Sequence, residues 1–197
     1  MGGRNTNATP AQSPNVACYT MTAQLSNDII NFLNLDTTRN FLVAANKFVS
    51  ILETENVQKD DFIKQIHLAL VDLYSSGHKL QDIELIYSNA NSDFDREQFF
   101  DNKNQNLISE LGGLAFYFES FDPSYEKEDS PSQGWLVDDF ADIYRDIKIE
   151  LEKLKLGTDE ATEDALWQLK FSFRNHWGGH CINALRYLHY FWYDNKL

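Results

Sequence analysis

Leu136, Phe140, Ile143, Ile147, Leu151 and Leu154 recur at offsets of four, three, four, four and three. Successive helical residues turn by about 100°, so an α-helix gathers such positions into a single buried stripe. The spacing predicts a helix from near Trp135 to a stop at Gly157. Phe41, Leu42, Ala45, Phe48, Val49 and Leu52 form an earlier stripe, which Leu25, Ile29 and Phe32 extend upstream across a phase shift at 36–38. Phe62, Ile63, Ile66, Leu70 and Leu73 form another, capped by Asp60 or Asp61 and stopped by Ser75-Ser76-Gly77. A further helix is expected from near Asp95 to Leu111, ahead of Gly112-Gly113. Thr158 or Asp159 caps the last helix, which carries Leu166, Leu169, Phe173, Trp177, Ala184, Leu188 and Phe191 to about Tyr193.

The expected fold is therefore all-α: an antiparallel bundle of about five long helices joined by short to moderate loops. An irregular aromatic and acidic connection precedes the fourth helix, with 114–123 as a packed loop and 124–134 as a polar stretch punctuated by Pro131 and Gly134. Residues 1–20, rich in Asn, Thr, Pro, Gln and Ser, read as a disordered tail. Residues 21–197 suit a single helical domain.

Charge narrows the function classes. Asp and Glu number 30 against 17 Lys and Arg, a net charge of −13. That field repels phosphate backbones and anionic lipid, so neither nucleic acid nor a membrane surface is an expected partner. Two cysteines, Cys18 and Cys181, make no disulfide framework, and a reducing, cytoplasmic setting follows. The first twenty residues lack the apolar centre of a signal peptide, and no run is long and apolar enough to span a bilayer.

The chemistry-bearing residues fall in two segments. Asp139, Asp142 and Asp146 lie on one flank of the 136–154 stripe, with Arg145 far round the other side. His176 and His180, four apart, share one face of the last helix, and Asn183 and Tyr187 lie along its edge. Facing carboxylates and imidazoles suit either a hydrogen-bonded polar seam or a divalent cation. A helical metalloprotease pair needs a glutamate directly after the first histidine, and Trp177 stands there instead. There is no nucleophile elbow and no phosphate loop. Gly178-Gly179 interrupts the last helix, which points to a close helix crossing or to the approach of a small ligand.

At these residues the chain resembles an uncharacterised bacterial family known only as a domain of unknown function, the DUF5063 type. The resemblance rests on Asp138-Asp139-Phe140-Ala141-Asp142-Ile143-Tyr144-Arg145-Asp146-Ile147-Lys148, on His176-Trp177-Gly178 with Asn183-Ala184-Leu185-Arg186-Tyr187-Leu188-His189, and on Glu119-Ser120-Phe121-Asp122-Pro123. It implies an all-helical domain with no established activity. In that family the aromatic-Trp-Gly element is more typical than the histidines. That favours Asp139, Asp142, Asp146, Trp177, Asn183 and Arg186 as a mutual packing and hydrogen-bonding unit, with Arg186 paired to an aspartate of the fourth helix.

The leading expectation is a non-catalytic binding or interaction protein without a cofactor. Its partner, a protein or a small molecule, would use the groove between helices 135–156 and 159–193. The alternative is a metal-dependent hydrolase. One divalent ion would sit on His176, His180, Asp142 and Asp146, with Asp139 activating water.

Overall fold

The computed structural model describes residues 25–54, 57–88, 116–119 and 130–194. The tail at 1–20 and the helix expected at 95–111 lie outside them. Chain order is α1 (Asn27–Asn34), α2 (Asp36–Glu53), α3 (Lys59–Lys79), β1 (Phe116–Glu119), β2 (Ser132–Trp135), α4 (Leu136–Leu154), α5 (Asp159–Asn175) and α6 (Trp177–Asp194). The architecture is the expected helical bundle with one small addition, an antiparallel pair of strands that registers Tyr117 opposite Gly134.

α4 is the central helix, and α2, α5 and α6 all pack on it. Its stripe is buried as the spacing requires: Leu136, Phe140, Ile143 and Ile147 are fully enclosed. They meet Phe41 and Phe48 of α2, Phe62 and Ile66 of α3, and Trp177 of α6 in one continuous core. Gly157 ends the α4 turn at φ +65°, where L side chains are strained. Thr158 then caps α5 by accepting from the Ala161 amide. No helix of the described residues is long and apolar enough to cross a membrane.

The phase shift at 36–38 is a break between two helices, with Leu35 separating α1 from α2. Three expectations about the fold are corrected. The aromatic stretch around 116–119 is a strand, and its partner takes Trp135 out of the helix start. Gly77 does not stop α3, which runs to Lys79. It is glycine because a Cβ there would stand 2.6 Å from the Trp177 ring. The single last helix is two, broken at His176 (φ −147°, ψ −87°).

Candidate metal centre

The break at His176 builds the site. Its amide still donates to Ser172 at 2.8 Å, while its carbonyl accepts from Gly179 at 3.0 Å and starts α6 in a new direction. The corner is tight: a Cβ on Gly178 would lie 2.2 Å from the Phe173 carbonyl oxygen. Trp177 locks it from inside, fully buried against Phe41 and Phe173, with its indole N–H donating to Leu169. Trp177 is therefore a core anchor and not a member of the polar seam.

α4 and α6 meet so that the three aspartates interleave with the two histidines. Asp146 Oδ2 lies 2.7 Å from His176 Nδ1. Asp139 Oδ1 lies 2.8 Å from His180 Nδ1. A carboxylate only accepts, so Nδ1 carries a proton on both rings, and in the neutral form of each ring Nε2 keeps its lone pair. Both Nε2 atoms turn to the aspartate between them: Asp142 Oδ2 is 3.4 Å from His180 Nε2 and 3.9 Å from His176 Nε2. One ligand atom from each of Asp142, His176 and His180 lies within 4.8 Å of the others. The two rings meet edge to face, with centroids 4.9 Å apart.

The flanking groups hold this arrangement. Asp139 is buried and also accepts from the Tyr117 hydroxyl at 2.7 Å, which joins β1 to α4. Burial, then the Asp139 bond, pushes the Tyr117 phenol well above its usual range. The Asp139 hydrogen bond, opposed by burial and reinforced by the charges of Asp139, Asp142 and Asp138, raises the His180 pKa. Burial, with Asp142 beside it, raises the Asp138 carboxyl. Arg145 pairs with Asp142 Oδ1, leaving Oδ2 for the histidines. Cys181, behind the site, is buried and free, and burial pushes its thiol up.

Of the residues expected to hold an ion, the structure brings Asp142, His176 and His180 together. Asp146 meets His176 at Nδ1, and Asp139 has one oxygen on His180 and the other on Tyr117. Arg145 was placed far from the acids, yet its long side chain wraps back one turn to Asp142. Arg186 was expected on an α4 aspartate, but it pairs with Glu119 of β1. Asn183 lines a neighbouring cleft of 440 Å³ that opens beside His176 and His180. Tyr117 and Trp135, which also line it, went unassigned. The one signal that pointed there was the Gly178-Gly179 pair.

A family model described as a domain of unknown function, DUF5063, matches residues 34–194. The crystal structure of protein BF1032 from Bacteroides fragilis, a structural-genomics target, is similar at a TM-score of 0.69 and 25% identity, covering 82% of this chain and 96% of that one. No curated protein matches the sequence. Neither the family nor the solved structure carries an indicated catalytic function.

Proposed function

This chain belongs to the DUF5063 family, and from the site it builds we propose that it binds one divalent transition-metal ion through His176, His180 and Asp142. One observation carries the reading: a ligand atom from each of His176, His180 and Asp142 lies within 4.8 Å of the other two, with the carboxylates of Asp146 and Asp139 on the Nδ1 side of the rings. Three acceptors converge stably only around positive charge. Ligands on a tetrahedral zinc ion lie about 3.3 Å from one another; the His180–Asp142 edge is 3.4 Å, and the His176–Asp142 edge, at 3.9 Å, would have to shorten on binding. Carboxylates on the far ring nitrogens are the partners that metal-bound histidines use to fix tautomer and direction.

Protonating both rings is the competing source of positive charge. It would set two imidazolium ions 4.9 Å apart, a repulsion of about 3 kcal/mol at the effective dielectric of a partly exposed site. One divalent ion satisfies all three acceptors without that repulsion, whereas a single proton on His180, which the Asp139 bond favours, answers only the His180–Asp142 edge.

Three protein ligands, two of them lining a cleft, suit a catalytic zinc site, which keeps a fourth position open, better than a closed structural one. The chemistry it supports is activation of a bound water. This reading places the ion in the groove expected to bind a partner, between 135–156 and 159–193. The small buried thiol of Cys181 suits a cytoplasmic setting.

Calorimetric titration of zinc into chelator-stripped protein tests the proposal. One ion per chain is expected, lost in His180→Ala and in Asp142→Ala. Absence of binding, or binding that both substitutions leave intact, overturns it.

A further inference from the structure

Resting on the metal reading, we infer that the cleft beside the ion takes an uncharged ring-bearing molecule with hydroxyl or amide groups on its edge, lying against Trp135 and over Gly179. The two glycines of the α5–α6 corner separate cleanly. Gly178 is demanded by packing. Gly179 is not: a Cβ there would meet nothing within 4 Å. A helical glycine costs about 1 kcal/mol relative to alanine, and at Gly179 no neighbour accounts for it. Its missing side chain leaves open the floor of the cleft next to His176 and His180.

The opposite wall is aromatic and braced. Trp135 lines the cleft, is 37% exposed, and is stacked on Phe116 with centroids 6.0 Å apart and planes 11° apart. Held on one side by Phe116, it presents a rigid apolar surface to whatever enters. Gln133 and Asn183 contribute amides to the same lining, and neither makes a side-chain hydrogen bond to another described residue. An amide offers donors and an acceptor together, which suits hydroxyl and amide groups. The volume of 440 Å³ is that of a site for one small molecule.

Charge selects among ring-bearing molecules. The cleft is lined by Asp138 and Asp139, and by no Lys or Arg among the described residues. Counting Asp142 and Asp146, four carboxylates face one divalent ion and Arg145, so the site stays negative when loaded. Phosphate esters are therefore disfavoured beyond what the ion attracts. A sugar and a nucleoside both fit this chemistry.

The test uses the zinc-loaded full chain with N-acetylglucosamine, adenosine and the monophosphate of each, followed by ligand-observed saturation-transfer NMR. Binding of at least one neutral probe is expected, with its phosphate weaker by about tenfold or more. Gly179→Leu and Trp135→Ala should abolish that binding while zinc content stays at one per chain. Gly179→Ala, which keeps the helix, should weaken it. Failure of both neutral probes, preference for a phosphate, or full binding by Gly179→Leu overturns the inference. Zinc content measured on the same samples separates the two ideas: a Gly179-dependent neutral ligand bound without zinc keeps the ring site and removes the metal reading.

Discussion

Asp139 accepts from His180 Nδ1 at 2.8 Å, and that bond decides which nitrogen the ring turns toward Asp142. The carboxylate is itself buried and takes a second bond from Tyr117, so it has little freedom to move. Replacing it with an amide removes the charge and allows the ring to take the other tautomer. Asp139→Asn should weaken zinc binding by about 10–100-fold, and Asp146→Asn should do the same through His176. Competition with a chelator of known affinity measures this. Unchanged affinity in both variants would mean that the carboxylates do not orient the rings.

The corner glycines should respond in opposite directions. Gly178→Ala drives a Cβ to 2.2 Å from a backbone oxygen, which flexible side chains cannot relieve. It should lower stability by about 3 kcal/mol, as a substitution that forces backbone movement. Gly179→Ala meets no atom within 4 Å and should raise stability by up to about 1 kcal/mol through helix propensity. Urea denaturation of the two variants gives the comparison. Equal effects would contradict the packing described at the corner.

Glu163 fixes the segment after α3. Its carboxylate accepts the amides of Ile86, Tyr87 and Ser88, each at 2.7 Å, from a fully buried position. Glu163→Ala leaves these amides without their acceptor, at about 1–3 kcal/mol for each one that stays buried. Hydrogen exchange at residues 86–88 should speed up well before global unfolding. Protection that persists in the variant would mean the segment is held by other contacts.

Much of this molecule is legible from residue spacing. The α4 stripe, the Thr158 cap, the Gly157 stop and the pairing of Asp142 with His176 and His180 all follow from helical phase and from the chemistry of short side chains. What is not legible depends on distance and reach. The apolar period runs on through Trp177, so periodicity alone shows no break at His176; the corner it makes brings the backbone at Gly178 so close to Phe173 that only glycine fits. The strands are four residues long and far apart in sequence, too short to show an alternating pattern above the noise. Arg145 and Arg186 have long, flexible side chains, so their helical phase says little about which carboxylate they meet. Asp139 and Asp146 could be assigned to the seam, but which histidine nitrogen each meets depends on fractions of a helical turn.

His67 provides a pH test away from the metal centre. It lies on α3 in a groove shared with Lys64 of the same helix and with His189 and Tyr193 of α6. Burial, and then the charge of His189, lowers its pKa below 6.5. The sign follows from proton counting. Between the lowered folded value and the ordinary unfolded one, the unfolded chain binds more protons, so stability rises with pH. The contribution of neutral His67 is complete above the unfolded value and is lost as pH falls through the folded one. The thermal midpoint of the metal-free protein should therefore fall from about pH 7 to about pH 5 with a slope to which His67 contributes. His67→Gln should flatten that slope, and His189→Gln should flatten it less, because its charge is the smaller of the two causes. An unchanged slope in His67→Gln would place the acid sensitivity in other groups.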